Sequence, residues 1–318
     1  MEFSLNNRKL STNIRKKKRL TREAMWAYIF VGIPILGYIF FNIFPLAISF
    51  FIQFFDMEYS DLSTLQWNNF ANFAEVFTDT KFYLSIGVSF LLCLNQLISL
   101  CIALLMSVLL SKKPFGHKIF QIIYFIPYIC SSIAVSLMWI WMFNEDYGII
   151  NSVLQAFGLS PVKWYHDYGA YPWMIIIACI WQAPGYGIVM YKAALSAVNP
   201  SLYEASDIDG ANAWKKFTHI TFPAIAPTTF FLLMTGIING LQTFDMAQMF
   251  AARGPDAWAG YAGPGNMGLT TVLYIYNKGA VGIGGDMPVA SVMSWALFVI
   301  IFFISMINFY LRKKWVDE

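Results

Sequence analysis

The sequence predicts an all-α integral membrane protein with six transmembrane helices, and three observations carry that prediction. The 318 residues are 58% hydrophobic and only 12% charged, whereas an ordinary soluble domain has about 25% charged residues. Six apolar runs are each long enough to cross a bilayer core of about 30 Å, which takes about 20 helical residues. Lysine and arginine residues concentrate at alternate junctions between these runs, as expected of a chain that crosses a membrane repeatedly.

The six predicted spans follow the apolar runs in order along the chain. They cover residues 26–54, 84–110, 119–143, 172–195, 224–247 and 288–311. A proline removes a backbone donor and frees a carbonyl that neighbouring helices must satisfy, so kinks are expected at the prolines inside four of the spans. These prolines are Pro34, Pro45, Pro127 and Pro184.

The distribution of cations predicts the orientation, because cytoplasmic segments carry the excess of lysine and arginine. With the N-terminus inside, 17 of the 21 cations fall on inner segments, and only Lys81, Lys163, Arg253 and Lys278 fall outside. Both termini are therefore predicted to be cytoplasmic. The chain divides into a basic tail over 1–23, a six-helix domain over 24–311 and a second tail over 312–318. The first apolar run is too long for a signal peptide and is predicted to be a retained span.

The inner segment over 196–223, between spans four and five, predicts a short helix, a turn and a second helix. Asn199 is a suitable N-cap with Pro200 in the first turn, and Gly210 suits the left-handed position that ends a helix. Within the first helix, Leu202, Ala205 and Ile208 share one face. An amphipathic helix outside the membrane needs a partner for its apolar face.

The same segment resembles the EAA loop of permease subunits from binding-protein-dependent ABC importers, in the carbohydrate branch that includes the maltose and glycerol-phosphate transporters. Ser206 stands at a motif position where alanine is usual. Because many positions agree at fixed spacing, the match is far more specific than a three-residue motif, and the resemblance covers nearly the whole chain beyond the basic tail. The positions that agree are Tyr203, Glu204, Ala205, Asp209, Gly210, Ala211, Phe217, Ile220, Pro223 and Pro227.

The resemblance implies the helix arrangement of a type I ABC importer permease in a bacterial or archaeal plasma membrane. It implies that the loop is a coupling helix, docked on a cytoplasmic ATPase. Glu204 then faces a basic residue of the ATPase, and Gly210 supplies the turn. The alternative is a solvated connector whose acidic residues complement a helix N-terminus. The predicted coupling residues are Tyr203, Glu204, Ala205, Ser206, Asp209, Gly210 and Ala211.

The resemblance also implies the partners. They are a second homologous permease subunit, two copies of a cytoplasmic ABC ATPase, an extracytoplasmic sugar-binding protein and membrane lipid, with no nucleic acid. The chain contains no GxxxxGK[ST] phosphate loop, so ATP and Mg are expected in the ATPase and no cofactor is expected here.

Polar residues at membrane depth usually face the bundle interior, and two spans supply a candidate substrate path. By resemblance, sugar-contacting positions lie in spans four and five. Spacings of three and four predict that Gly236, Asn239, Gly240 and Thr243 share a helix face. Small-residue helix packing is the alternative for each, and Asn95 and Gln96 in span two are weaker candidates. The predicted path residues are Gln182, Tyr186, Gly236, Asn239, Gly240, Gln242 and Thr243.

No catalytic or metal-binding constellation is found, so an enzyme is not expected. A permease subunit that passes a sugar or oligosaccharide, delivered by a binding protein and driven by a separate ATPase, is the function predicted. The alternative is an ion-coupled secondary transporter of a small polar solute. That class is expected to show charged relays within its spans, and only Asp245 qualifies.

Overall fold

The computed structural model describes residues 22–57, 61–112, 114–253, 262–279 and 285–316. Its contacts define two compact units, Met1–Phe50 and Phe51–Glu318. In the first unit, α1 (Arg22–Tyr38) leads through a π-helical segment (Ile39–Ile43) into α2 (Phe44–Ile52). The Phe44 N–H bonds to the Ile39 carbonyl five residues back, and Pro45 follows with no donor of its own, so the π-helical segment accommodates the proline.

The second unit opens with a small antiparallel pair of strands. β1 (Phe55–Asp56) pairs with β2 (Gln66–Trp67), with Phe55 opposite Trp67 and a 3₁₀ turn (Leu62–Thr64) between them. Asn72 of α3 (Ala71–Thr78) donates to the carbonyls of Gln53 and Phe55 at 3.1 and 3.0 Å. These bonds fasten α3 to the start of the unit.

In the third predicted span, where a kink is expected at Pro127, the structure has a bent pair of helices. α4 (Thr80–Ser111) is unbroken, but α5 (His117–Ile129) and α6 (Ser132–Met142) are bent by 99° at the break between them. Pro127 lies just before this break, and Cys130 has an extended backbone. A proline weakens the helix ladder at this point, and the chain turns there.

The other elements follow in order to the end of the chain. The helix pair α8–α9 and the stretch from α11 to α13 are each apolar enough to be one span, Ala170–Ser196 and Ala213–Ala251. α15 continues into the predicted C-terminal tail. The elements are α7 (Ile149–Ala156), α8 (Ala170–Gln182), α9 (Pro184–Ser196), α10 (Pro200–Ile208), α11 (Ala213–Lys216), a π-helical segment (Phe217–Thr221), α12 (Phe222–Leu241), α13 (Asp245–Ala251), a 3₁₀ turn (Pro264–Asn266), α14 (Thr271–Gly279) and α15 (Met287–Val316).

Five helical stretches of the described chain are long and apolar enough to cross a membrane, and the bent pair makes a sixth if it is counted as one span. The five are Met25–Ile52, Thr80–Ser111, Ala170–Ser196, Ala213–Ala251 and Met287–Arg312. They match five of the predicted spans to within a few residues, apart from the fifth, which the structure extends at its N-terminal side.

Within the second unit, α4 is the central helix and packs against α8, α9, α12 and α14. One buried cluster lies near α10 and includes Ala103, Ile188, Tyr191 and Ile225. Another lies toward the opposite end, where Tyr171 of α8 is fully buried. The loop that follows residue 261 crosses Tyr171 so closely that a Cβ at Gly263 or Gly268 would overlap the ring. Glycine is required there by close approach.

Candidate functional site

The helix α10 is defined at both ends by local hydrogen bonds. The Asn199 side chain accepts from the Ser201 N–H at 3.1 Å, and Gly210 has a φ of 67°. The Gly210 N–H donates to the Asp207 carbonyl at 3.2 Å, and the Ala211 N–H donates to the Ser206 carbonyl at 2.9 Å. This pair of bonds is a Schellman motif. A Cβ at Gly210 would meet nothing within 4 Å, so backbone conformation is what favours glycine. The predicted cap and turn are confirmed.

The predicted coupling residues divide between two sides of this loop. Glu204, Ala205, Asp209 and Gly210 are exposed, whereas Tyr203, Ser206 and Ala211 are partly buried. The apolar face is uncovered in this chain, because Leu202 is 51% exposed and Ile208 is 88% exposed.

The buried side of α10 is tied to the helix that follows. The Tyr203 hydroxyl lies 3.0 Å from the Thr221 hydroxyl, and Ser206 Oγ donates to the Tyr203 carbonyl at 2.7 Å. Asp207 forms an ion pair with Lys216 of α11. The helix therefore presents one face to solvent and is held to the start of α12 by the other.

A polar cavity of about 400 Å³ lies among α4, α5, α9 and α12. Three predicted path residues, Tyr186, Gly236 and Asn239, line it, and so does the weaker candidate Gln96. The Tyr186 ring stacks on Tyr128 with centroids 5.6 Å apart and planes at 25°. An aromatic wall with amide and hydroxyl groups opposite is suited to a ligand with apolar faces and many hydroxyls.

Gln182 does not line this cavity and instead bonds at the bend in the third span. Its Nε2 donates to the Cys130 carbonyl at 3.0 Å. That carbonyl belongs to the extended residue between α5 and α6. The side chain thus satisfies a backbone acceptor freed by the bend, as a break in a membrane helix requires.

The two glycines of α12 have different surroundings. A Cβ on Gly240 would lie 2.8 Å from Cys93 Sγ and 3.1 Å from Cys93 Cα, while a Cβ on Gly236 would lie 3.6 Å from its nearest neighbour, Gln96. Gly240 therefore permits close packing of α12 on α4. Gly236 keeps space open in the cavity.

The prediction that Thr243 continues the helix face of Gly236 and Asn239 is wrong. α12 ends at Leu241, and both Gln242 and Thr243 lie in the break before α13. Thr243 Oγ1 donates to the Gly240 carbonyl at 2.8 Å. Neither residue lines the cavity among α4, α5, α9 and α12.

Three lining residues with hydroxyl groups were missed by sequence reasoning: Ser99, Tyr128 and Thr235. Ser99 is buried, and its hydroxyl has no hydrogen-bond partner among the described residues. The helical spacing from Gln96 to Ser99 and Ala103 is a signal that would have placed Ser99 beside Gln96. Thr235 lies one residue before Gly236 and bonds back to the Phe231 carbonyl at 2.9 Å.

At the opposite end of the helices, Glu145 organises the loop before α8. It accepts a hydrogen bond from the Tyr165 N–H at 2.8 Å and lies 3.0 Å from His166 Nδ1. Burial, and secondarily the charge of Glu145, raises the pKa of Tyr165. The described residues contain no group of three or more potential metal ligands.

Within the second unit, helices long enough to cross a bilayer line a polar cavity, and an exposed capped helix lies at one end of them. These features define a multi-pass membrane transport protein. The chain belongs to the family of binding-protein-dependent transport system inner membrane components, whose family model matches residues 99–316.

Curated relatives match over most of the chain. It is 29% identical over 307 residues to the probable ABC transporter permease protein YesP of Bacillus subtilis, covering 95% of both chains. It is 28% identical over 294 residues to the arabinooligosaccharides transport system permease protein AraP of Bacillus subtilis, covering 92% of this chain and 90% of AraP. It is 29% identical over 254 residues to the lactose transport system permease protein LacF of Rhizobium radiobacter, covering 79% and 82%.

A solved structure has the same fold. The chain superposes with a TM-score of 0.79 and 21% identity on a chain of a bacterial alginate ABC transporter, crystallised in complex with an alginate pentasaccharide-bound periplasmic protein. The match covers 92% of this chain and 95% of the other. The type I ABC importer permease fold expected from the sequence is confirmed.

Proposed function

We propose that this inner membrane component forms, with a second homologous permease subunit, the path for a sugar or oligosaccharide. The cavity lined by Tyr186, Gly236 and Asn239 is the observation that carries this proposal. Its stacked tyrosines offer a face for sugar C–H groups, and its amide and hydroxyl groups offer hydrogen-bond partners. Relatives named for arabinooligosaccharide and lactose transport support the same substrate class.

The proposed driving partner is a cytoplasmic ABC ATPase, present in two copies that bind ATP and Mg. α10 supports this role, because its two ends are capped and its apolar face is uncovered in this chain. Glu204 projects from the exposed side of the loop, where it meets a basic residue of the ATPase. An extracytoplasmic sugar-binding protein delivers the ligand from the opposite end, and both termini face the cytoplasm.

The test is reconstitution of the chain with the second permease, ATPase and binding protein from the same source. Glu204→Lys should reduce ATPase co-purification and sugar uptake together, since it places like charges across the contact. Glu23→Lys is the matched control, because Glu23 is an exposed acid outside this loop and away from the end where the binding protein delivers the ligand. Full ATPase binding and full uptake in Glu204→Lys would refute the coupling role. If the wild-type complex bound and imported sugars no better than other solutes, the proposed substrate class would be refuted.

A further inference from the structure

A second cavity, of about 430 Å³, lies at the end of the helices where α10 is found. It is formed by the last turn of α4, the first residue of α5, the last turns of α9 and the start of α10. Its polar lining consists of Ser111, His117, Lys192, Ser196 and Tyr203. No aspartate or glutamate of the described residues lines it.

Lys192 gives this cavity its charge. The side chain is partly buried, and its ammonium donates to Gln121 Oε1, which uses one of three N–H groups. In the described part of the chain, the ion pairs join other residues, and none includes Lys192. The ammonium therefore faces the cavity without a counter-charge among the described residues, and an anion in the cavity would supply one.

The remaining lining restricts the kind of anion. His117 Nδ1 donates to the Pro114 carbonyl at 3.2 Å, so Nε2 is the ring atom left for a ligand; it accepts in the neutral ring and donates to an anion only in the imidazolium form. The aliphatic side chains of Leu110 and Leu195 complete the lining. The volume is larger than an inorganic ion needs and lies in the range of small-molecule sites. A phosphate that carries an organic group suits this lining, because the phosphate can bind the polar residues and the organic group can contact the aliphatic side chains.

Exposed Lys112 and Lys118 flank the cavity along the chain and raise the local concentration of anions. Two sources offer the same chemistry at this end of the helices. One is the head group of an anionic phospholipid, and the other is a soluble phosphate ester.

We propose that this cavity binds a phosphate ester through Lys192, and that the bound ester biases the position of α10. The link is Tyr203, which lines the cavity and is hydrogen-bonded to Thr221. The binding step stands on the cavity alone. The effect on α10 rests on the proposed ATPase contact.

Binding is measured on the purified full-length chain in nanodiscs. Phenyl phosphate is titrated calorimetrically in phosphatidylcholine discs, and retained phosphatidylglycerol is counted by native mass spectrometry in mixed discs. Lys192→Gln preserves a hydrogen bond to Gln121 but removes the charge. Ser196→Glu instead places a carboxylate at an exposed lining position, so it tests the site even if Lys192→Gln is unstable. Lys215→Gln is the control, because Lys215 is an exposed lysine outside the lining.

We expect both lining variants to weaken binding by about tenfold relative to Lys215→Gln, the loss typical of a charge-assisted hydrogen bond. Weaker phenyl phosphate binding identifies a soluble ester, and loss of retained phosphatidylglycerol identifies the lipid. The inference would be overturned if neither probe bound, or if all variants bound the probes equally. The same result is expected if the cavity is instead filled by an acidic segment of a protein partner. ATPase co-purification is scored separately, so this failure leaves the proposed function standing.

Discussion

The hydroxyl groups of Tyr203 and Thr221 lie 3.0 Å apart at the point where α10 meets the helical segment that enters α12. Thr221 is buried, so the bond is shielded from water on one side. The bond joins the exposed loop to the helix that carries Gly236 and Asn239. A displacement of α10 is therefore passed to the start of the helix that forms one wall of the polar cavity.

Removing either hydroxyl should loosen this connection. Tyr203→Phe and Thr221→Val should each lower stability by about 0.5–1.5 kcal/mol, the net value of one hydrogen bond. The double variant should lose little more than either single variant, since both remove the same bond. Thermal unfolding and sugar imported per ATP hydrolysed are the measurements. Fully additive losses would show that the two hydroxyls act independently.

The left-handed backbone at Gly210 predicts a graded response to substitution. Gly210→Val should destabilise the loop by roughly 1–2 kcal/mol or more, while Gly210→Asn should be milder because asparagine tolerates this conformation. ATPase co-purification should fall in the same order. Gly158 has a φ of 76° and open space around it, so Gly158→Val is a strain-matched control. Equal ATPase loss from both valine variants would mean that general instability, not the loop, is responsible.

The cavity separates the predicted path residues into two groups. Asn239→Ala and Thr235→Val should raise the KM for the sugar by about tenfold, because each removes a polar group that lines the cavity. Gln242→Ala and Thr243→Ala should leave KM unchanged, since neither residue lines it. Uptake by reconstituted vesicles decides the matter. A larger effect from the second pair would move the substrate path away from this cavity.

The two glycines of α12 should respond differently to alanine. Gly240→Ala should lower stability by about 1–3 kcal/mol, because its Cβ would press on the Cys93 backbone. Gly236→Ala should fold normally and reduce sugar uptake by narrowing the cavity. Melting temperature and uptake, measured on both variants, separate packing from transport. A stable Gly240→Ala variant with impaired uptake would reverse the assignment.

The predicted orientation is testable with reporter fusions. Alkaline phosphatase fused after Lys215 should be inactive, and the same reporter fused after Arg253 should be active, because positively charged flanks resist translocation. The converse pattern would invert the topology. Activity at both sites would contradict the number of crossings between them.

Hydropathy was sufficient to locate five helical stretches, but not the bend at Cys130. Beside Cys130, only Ser131 and Ser132 interrupt the apolar run over 119–143, and Pro127 indicates a kink without its angle. Local backbone signals did better. Asn199 and Gly210 determine the ends of α10 through bonds within a few residues of themselves, which a sequence records directly.

The cavity was harder to predict because its members come from four helices. Thr243 continues the spacing of Asn239 and Gly240, yet periodicity carries no signal that α12 stops at Leu241. The Thr235 hydroxyl bonds to a carbonyl of its own helix. A threonine in an apolar run can always be satisfied in this way, so its presence in the sequence does not indicate a cavity. Gly240 and Gly236 are the same residue type, and only their distances from α4 show that one is needed for packing and the other lines the cavity.

The corner between α10 and α11 has a mechanical consequence. It contains only four residues, 209–212, and it is stabilised by the Schellman motif, by the Asn212 cap on the Lys215 N–H and by the ion pair of Asp207 with Lys216. Such a corner is stiff, so α10 and α11 move together as a rigid body. The bending must then occur where the ladder of α-helix bonds is interrupted: at the π-helical segment Phe217–Thr221, at the joint before Pro184 and at the break after Leu241. A push on α10 is thus converted into bending at these interruptions rather than within the corner itself.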